Sequence, residues 1–227
     1  PSPDLVSKYK SCLGDASWAC NRTRKDCLAT FSMLGKAMDK PNEELLQRCI
    51  ELHAFMYSTN DYRIVYSRST YNDPVGFSDA NLGPHRSQTG YAIYLANAPV
   101  VAISQAQKCV VLSSCEAELV ALSACACAML WLRILLGEIG IPVHGASPIF
   151  CDNQAAKKVA ENPVSAKQLR HVERRHFFVQ DTVNAGCITV PYVESNSNLA
   201  DILTKILPNK PKYEWAAARL RAWTMMS

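Results

Sequence analysis

No apolar run in this chain reaches the roughly 20 residues needed to cross a bilayer. The longest, around Ala121 to Leu136, is interrupted by Ser123 and Arg133 and reads as a core helix, so no membrane is expected among the partners. The opening PSPDLVSKYK has neither an apolar signal core nor an Arg-rich amphipathic pattern, so no targeting peptide is expected. It begins on Pro1, as a fragment or a processed product would. There are ten cysteines, but Cys125-Ala126-Cys127 has no second pair at zinc-finger spacing. Cys27, Cys49, Cys125, Cys127 and Cys151 stand among apolar neighbours, where a free thiol behaves as a small hydrophobe. Reduced thiols in an intracellular compartment follow from that usage. A strong charge excess is missing too: 24 Lys+Arg against 20 Asp+Glu give a net charge of +4, which permits nucleic-acid binding without arguing for it. Internal repeats and low-complexity tracts are absent. What remains is 227 residues, 48% of them hydrophobic, enough to bury a real core.

The first segment, residues 1–68, reads as helical. Thr23-Arg24-Lys25-Asp26 leads into CLATFSMLGKAM, where Leu28, Phe31, Leu34 and Met38 recur at helical spacing. Pro41-Asn42-Glu43-Glu44 opens a second helix, with Leu46, Ile50, His53 and Tyr57 as its apolar face and His53 as a core histidine. The polar SRSTYNDP stretch marks a boundary. From Val75 short strands and tight turns take over, with a hairpin turn at Ala96-Asn97-Ala98-Pro99. A long helix spans Ser114 to Glu138, a strand and helix surround Asp152, and another helix runs through QLRHVERRHFFVQDTVNAG. A strand over Cys187 to Val193 and a last amphipathic helix from Tyr213 to Trp223 complete a β-β-β-α-β-α-α-β-α order. The expected division is 1–68, 75–208 and a tail over 209–227.

In SPIFCDNQAAKK an apolar strand runs into one carboxylate and then straight into helix-forming residues. Asp152 there is either the N-cap of that helix or a ligand at the carboxyl edge of the sheet. Only other carboxylates arriving at the same edge separate the two. Asp79 ends the first strand, Glu118 lies in the long helix, and Asp201 opens a helix after the last strand. Converging on one edge, the four would suit hard divalent cations, two of which clamp the oxygens of an in-line phosphoryl displacement.

From Val75 to Leu207 the chain resembles the ribonuclease H domain of copia-type LTR retrotransposon polyproteins, on the motifs SDANLG, LSSCEAELVAL, CDNQAA and LADILTK. The first segment is similar to the stretch that links the polymerase region to the ribonuclease there, its TRPD motif written with Lys25 in place of Pro. The resemblance implies an α/β ribonuclease H-like mixed sheet preceded by a small helical segment. It further implies a metal-dependent endoribonuclease that cleaves the RNA strand of RNA/DNA hybrids, as part of a reverse transcriptase. Asp79, Glu118, Asp152 and Asp201 become the catalytic and metal-binding set for two Mg²⁺ or Mn²⁺ ions. Gln154, with Asn153, touches the hybrid's minor groove, where the 2′-hydroxyl marks RNA; Arg86 and Lys108 are candidates for phosphate contact. The implied partners are the hybrid and the polymerase region of the same polyprotein, and the implied location is the cytoplasm, in a virus-like particle, or the nucleus.

Three features depart from that pattern. The strand Val101 to Lys108 lacks the family's Trp and basic residues, His171 and His176 flank Glu173 where Asp is usual, and no YxDD polymerase motif is present. The alternative reading is a degenerate or domesticated polypeptide that keeps the fold as a binding surface. Within Cys115-Glu116-Ala117-Glu118 only one glutamate can face a metal, because residues two apart on a helix point about 200° apart. The Glu-Leu-x-Ala-Leu pattern and a face shared with Leu122 and Cys125 select Glu118, leaving Glu116 to point to solvent or to support the helix start.

Overall fold

The computed structural model describes residues 1–67, 73–161, 173–205 and 210–221. Three helices come first: α1 (Pro3–Arg22), α2 (Leu28–Gly35) and α3 (Glu43–Ser58). Ser2 caps α1 and Asn42 caps α3 through their side-chain oxygens, and acidic residues occupy both first turns, complementing the helix dipoles. Then follow β1 (Val75–Asn81), β2 (Gln88–Leu95), β3 (Ala98–Ala106), α4 (Ser114–Glu138), β4 (Ser147–Cys151), α5 (Gln154–Glu161), α6 (Glu173–Asn184), β5 (Ile188–Thr189) and α7 (Lys210–Arg221). The sheet order is β3-β2-β1-β4-β5. β1–β2 and β2–β3 are antiparallel, while β1–β4 and β4–β5 are parallel. This is the ribonuclease H-like mixed sheet that the motif order implied.

The β2–β3 hairpin turns on Ala96 and Asn97, both at positive φ (51° and 64°), the backbone that matches a two-residue turn to the twist of its strands. Asn tolerates that conformation well; Ala does so at some cost.

Alternation along β2 sends Tyr91 and Ile93 to one face of the sheet, Ala92 and Tyr94 to the other. The first face packs on α4, α5 and α6 through Leu119, Leu122, Met129, Val159 and Val179. The second carries Phe77, stacked on Phe150 at 5.1 Å and edge-on to Tyr94 at 5.8 Å, and it joins a cluster with Tyr9, Leu13, Leu28, Leu52 and Leu220. The helices of residues 1–58 and α7 therefore share an apolar cluster with the strands. The SRSTYNDP stretch, of which residues 68–72 lie outside the described ones, marks a change of composition, while the core runs across it.

The Arg24 guanidinium holds the turn after α1 in place. It donates to both Asp26 carboxylate oxygens (3.0 and 2.8 Å), to Thr59 Oγ1 (2.8 Å) and to the Met56 carbonyl (3.0 Å), and lies 5.4 Å from the Phe55 and Tyr62 ring centres. Lys25 opens a 3-10 turn, a first position where Pro also fits, and its ammonium caps the Asn21 carbonyl at 2.6 Å.

Three expectations need correction. On α3 the buried residues are Cys49 and Leu52, whereas Ile50 and Tyr57 of the expected stripe are exposed at 49% and 81%. The helix carries two overlapping apolar stripes, and α1 takes the one holding Cys49. Asp201 opens a single 3-10 turn, Asp201–Leu203, rather than a helix. Finally, α4 is long and apolar enough to cross a membrane by length and composition, which the interruptions at Ser123 and Arg133 do not prevent. Its place against the sheet, with Glu116 and Glu118 buried in its first turns, makes it the core helix.

Candidate active site at the carboxyl edge of the central strands

The parallel pairing of β1 with β4 sets Ser78 opposite Cys151. The next residue of each strand is an aspartate, so Asp79 and Asp152 reach the same level of the sheet side by side. Asp152 does not cap α5. That role falls to Asn153, whose Oδ1 accepts from Ala156 N at 3.0 Å. The carboxylate of Asp152 is thereby left for the sheet edge.

Glu118 comes in from the second turn of α4, buried, with one carboxyl oxygen that has no hydrogen-bond partner among the described residues. Its ligand atom, that of Asp152 and the Cys151 sulfur lie within 4.8 Å of one another. Burial pushes the Glu118 carboxyl up to about 9, and the charges of Asp79 and Asp152 push the same way, against the Ala80 N–H and Lys205. Burial also raises Asp79, to about 6, a hydrogen bond from Thr204 opposes it, and Asp152 and Asp201 add to the rise. Cys151 is held far up as a neutral thiol, first by burial and then by Glu118.

Glu116, by contrast, is neither a partner in this cluster nor exposed. It is 7% accessible, its Oε2 accepts from Leu112 N at 2.7 Å, and its own N–H donates to Ser113 Oγ at 3.2 Å. That is a variant of the capping box in which the return bond is made to Leu112 N, one residue before the Ser113 cap, so the helix-start role holds and the solvent-facing one does not.

Asp201 approaches from a turn fastened to β1 by Asn198, whose Nδ2 donates to the Ser78 carbonyl at 3.0 Å and whose Oδ1 accepts from Ala200 N at 3.1 Å. Thr204 Oγ1 donates to Asp79 Oδ2, and Lys205 forms an ion pair with Asp201. The turn comes this close because Gly90 sits opposite Asp79 in β2: a Cβ there would meet Thr204 Cγ2 at 2.6 Å, Leu203 Cβ at 2.8 Å and the Ala200 carbonyl at 3.0 Å. The motif LADILTK pointed to Asp201 alone; Thr204 and Lys205 within it and Asn198 just before it were not among the expected site residues. The signal was there, in polar residues three before, three after and four after Asp201.

Of the expected substrate contacts, Gln154 is exposed at the start of α5 and lines a cleft of about 300 Å³ with Lys157, Lys158 and Tyr192. Tyr192 lies beside Cys151 in an isolated bridge, so the cleft adjoins Asp152. The side-chain oxygen of Asn153 is engaged in capping. Arg86 and Lys108 are exposed on the loops after β1 and β3. His171 and the side chain of His176 lie outside the described residues.

Comparison with known proteins follows the same lines. The chain is 30% identical over 205 residues to the retrovirus-related Pol polyprotein from transposon RE1 of Arabidopsis thaliana, covering 88% of this chain and 14% of that protein. It is 26% identical over 212 residues to that from transposon TNT 1-94 of Nicotiana tabacum, covering 91% and 16%. Its homologues are Pol polyproteins of copia-type transposons. This Pol-related chain thus spans about a seventh of the length of such relatives. Among solved structures it is similar to RNase H1 from Halobacterium salinarum NRC-1 (14% identity, TM-score 0.43, 57% of this chain and 92% of that one). It is also similar to the foamy viral protease-reverse transcriptase in complex with RNA/DNA hybrid (14%, 0.48, 91% and 27%). No protein-family model matches. The fold assignment rests on the strand order and register given above.

Proposed function

We propose that this Pol-related chain is a divalent-cation-dependent ribonuclease H-type nuclease, cleaving the RNA strand of RNA/DNA hybrids as a segment of a reverse transcriptase. The observation that carries the reading is the arrival of Asp79 and Asp152 side by side at the ends of adjacent parallel strands, with a carboxylate oxygen of the buried Glu118 within 4.8 Å of one of Asp152 and one Glu118 oxygen without a hydrogen-bond partner among the described residues. Left without a counter-charge, such a group is costly; hard cations, which take oxygen ligands, fit it. Asp79, Glu118, Asp152 and Asp201 are the residues that would hold Mg²⁺ or Mn²⁺, two ions by the family resemblance. Bound cations would supply Lewis-acid charge at a phosphoryl oxygen and a more acidic bound water.

The chain's own residues set the stage for this chemistry. Thr204 fixes the rotamer of Asp79, Asn198 fastens the turn of Asp201 to β1, and Lys205 offsets part of the negative charge. Gln154 at the mouth of the cleft supplies an amide for the minor groove, and Lys157 and Lys158 supply positive charge for a phosphate backbone. Hybrid and polymerase region are the proposed partners, in the compartment where reverse transcription takes place.

The test is cleavage of a labelled RNA/DNA hybrid by the full chain with and without Mg²⁺, beside single-stranded RNA and duplex DNA. Metal-dependent cleavage confined to the hybrid is expected, reduced to the no-metal level in Asp152→Asn with helical circular dichroism unchanged. A folded wild-type chain that leaves the hybrid intact would favour the catalytically silent reading. Near wild-type turnover of Asp152→Asn would remove the residue from the site.

A further inference from the structure

A second group of metal-ligating side chains lies outside the carboxylate site, in the helical layer. Cys49 and His53 are four residues apart on α3 and so share a face. Cys12 of α1 meets them there, and the two sulfurs and a ring nitrogen of His53 lie within 4.8 Å of one another. The buried Cys49 faces two partly exposed ligands. Cys12 and His53 of this group line a cavity of about 410 Å³ together with Lys8, Ser11, Asp15 and Ile50, with Cys49 buried behind them.

We propose that Cys12, Cys49 and His53 bind a Zn²⁺ ion that clips α1 to α3, with Asp15 as the fourth ligand. Two thiolates and an imidazole suit a borderline-soft, tetrahedral cation and suit Mg²⁺ poorly. Bonds of about 2.0–2.3 Å place such ligand atoms roughly 3.3–3.8 Å apart, so from separations within 4.8 Å the three close by at most roughly 1.5 Å, which rotamer changes on two packed helices take up. The imidazole is already oriented: its Nε2 lies 2.8 Å from the Cys12 carbonyl. Donating there leaves Nδ1 with the lone pair, and metal-bound histidines characteristically donate their other ring N–H to such an acceptor. Asp15 stands three residues after Cys12 on α1, exposed at the cavity, which also gives the ion its way in. Lys8 on the rim is paired with Asp4 at 2.8 Å.

The probe is Co²⁺, followed by Zn²⁺, added to the full 227-residue chain stripped of metal and kept reduced with a phosphine. One equivalent of Co²⁺ is expected to give thiolate-to-metal charge transfer and intense tetrahedral ligand-field bands, bleached by Zn²⁺ and unaffected by excess Mg²⁺. Cys49→Ser and His53→Gln should abolish the charge-transfer signal or weaken binding at least tenfold. His53→Cys should keep it, and Asp15→Asn should weaken it while retaining the thiolate bands. Cys187→Ser, remote from the group, should bind as wild type does. Absence of charge-transfer bands in the folded reduced chain overturns the proposal, as does a signal that survives in Cys12→Ser/Cys49→Ser. Neither outcome bears on hybrid cleavage.

Discussion

Stripped of divalent cations, the protein should lose stability as the pH rises from 6 to 8, and Glu118 should be the cause. Its carboxyl is buried and pushed from 4.5 up to about 9 in the folded state. Between those values the folded protein holds a proton that the unfolded chain has released. The contribution is complete below the unfolded value and is lost as the pH climbs through the folded one, at about 1.36 kcal/mol per pH unit. From pH 6 to pH 8 that amounts to about 2.7 kcal/mol, or a fall of roughly 5–10 °C in Tm for a chain of this size. Asp79, raised to about 6, adds to the loss only at the acid end of the range. The assay is thermal unfolding by circular dichroism in chelator at pH 6, 7 and 8, on wild type and Glu118→Gln. Gln keeps an oxygen for the Ala80 N–H and removes the titrating proton, so the difference between the two slopes isolates this one group. The variant should be flatter with pH and more stable than wild type at pH 8. Mg²⁺ should restore the wild type at pH 8 and help the variant much less, since a ligand that binds only the folded state stabilises it by mass action. Parallel slopes in wild type and variant would show that Glu118 is ionised in the folded protein and would refute the reasoning.

Glu116→Ala should cost about 1 kcal/mol, the worth of a capping residue, and leave hybrid cleavage near wild type; loss of cleavage without loss of fold would make Glu116 the ligand instead. Arg24→Met leaves Asp26 buried beside Thr59 without its guanidinium and should cost about 3–5 kcal/mol in urea unfolding, with much of it regained in Arg24→Met/Asp26→Leu. A cost under about 1 kcal/mol would mean that solvent reaches the pair. Gly90→Ala drives a methyl into Thr204 and Leu203; a cost of about 1–3 kcal/mol is expected, with a far larger relative loss of cleavage because the turn bearing Asp201 is displaced. Unchanged turnover would show that the turn does not need its present position.

Much of the fold was legible from residue order, because helices and strands are written in local periods. Ser114 to Glu138 is a helix end to end, as the apolar run after LSS indicated, and the Ala96-Asn97 turn stands where the alternation breaks. The four candidate carboxylates were picked out by local position too, Asp79 and Asp152 at strand ends, Glu118 in the first turns of the long helix and Asp201 after the last strand. Whether Asp152 capped α5 or faced the sheet edge was open, since Asp suits both; the neighbouring Asn153 takes the cap, and the register of β1 on β4 puts Asp79 next to Asp152. No local pattern carries that register, because the two strands are brought together by the packing of α4 between them in sequence. Packing likewise chose between the two stripes of α3, buried Glu116 in its capping box, and made a helix apolar enough for a bilayer into the core of a sheet. It also brought Cys12 to Cys49 and His53, three residues that read separately as core-filling or incidental. A sequence states which groups are available at which period; which faces meet, and so which charges share a site, is decided only when long-range contacts close.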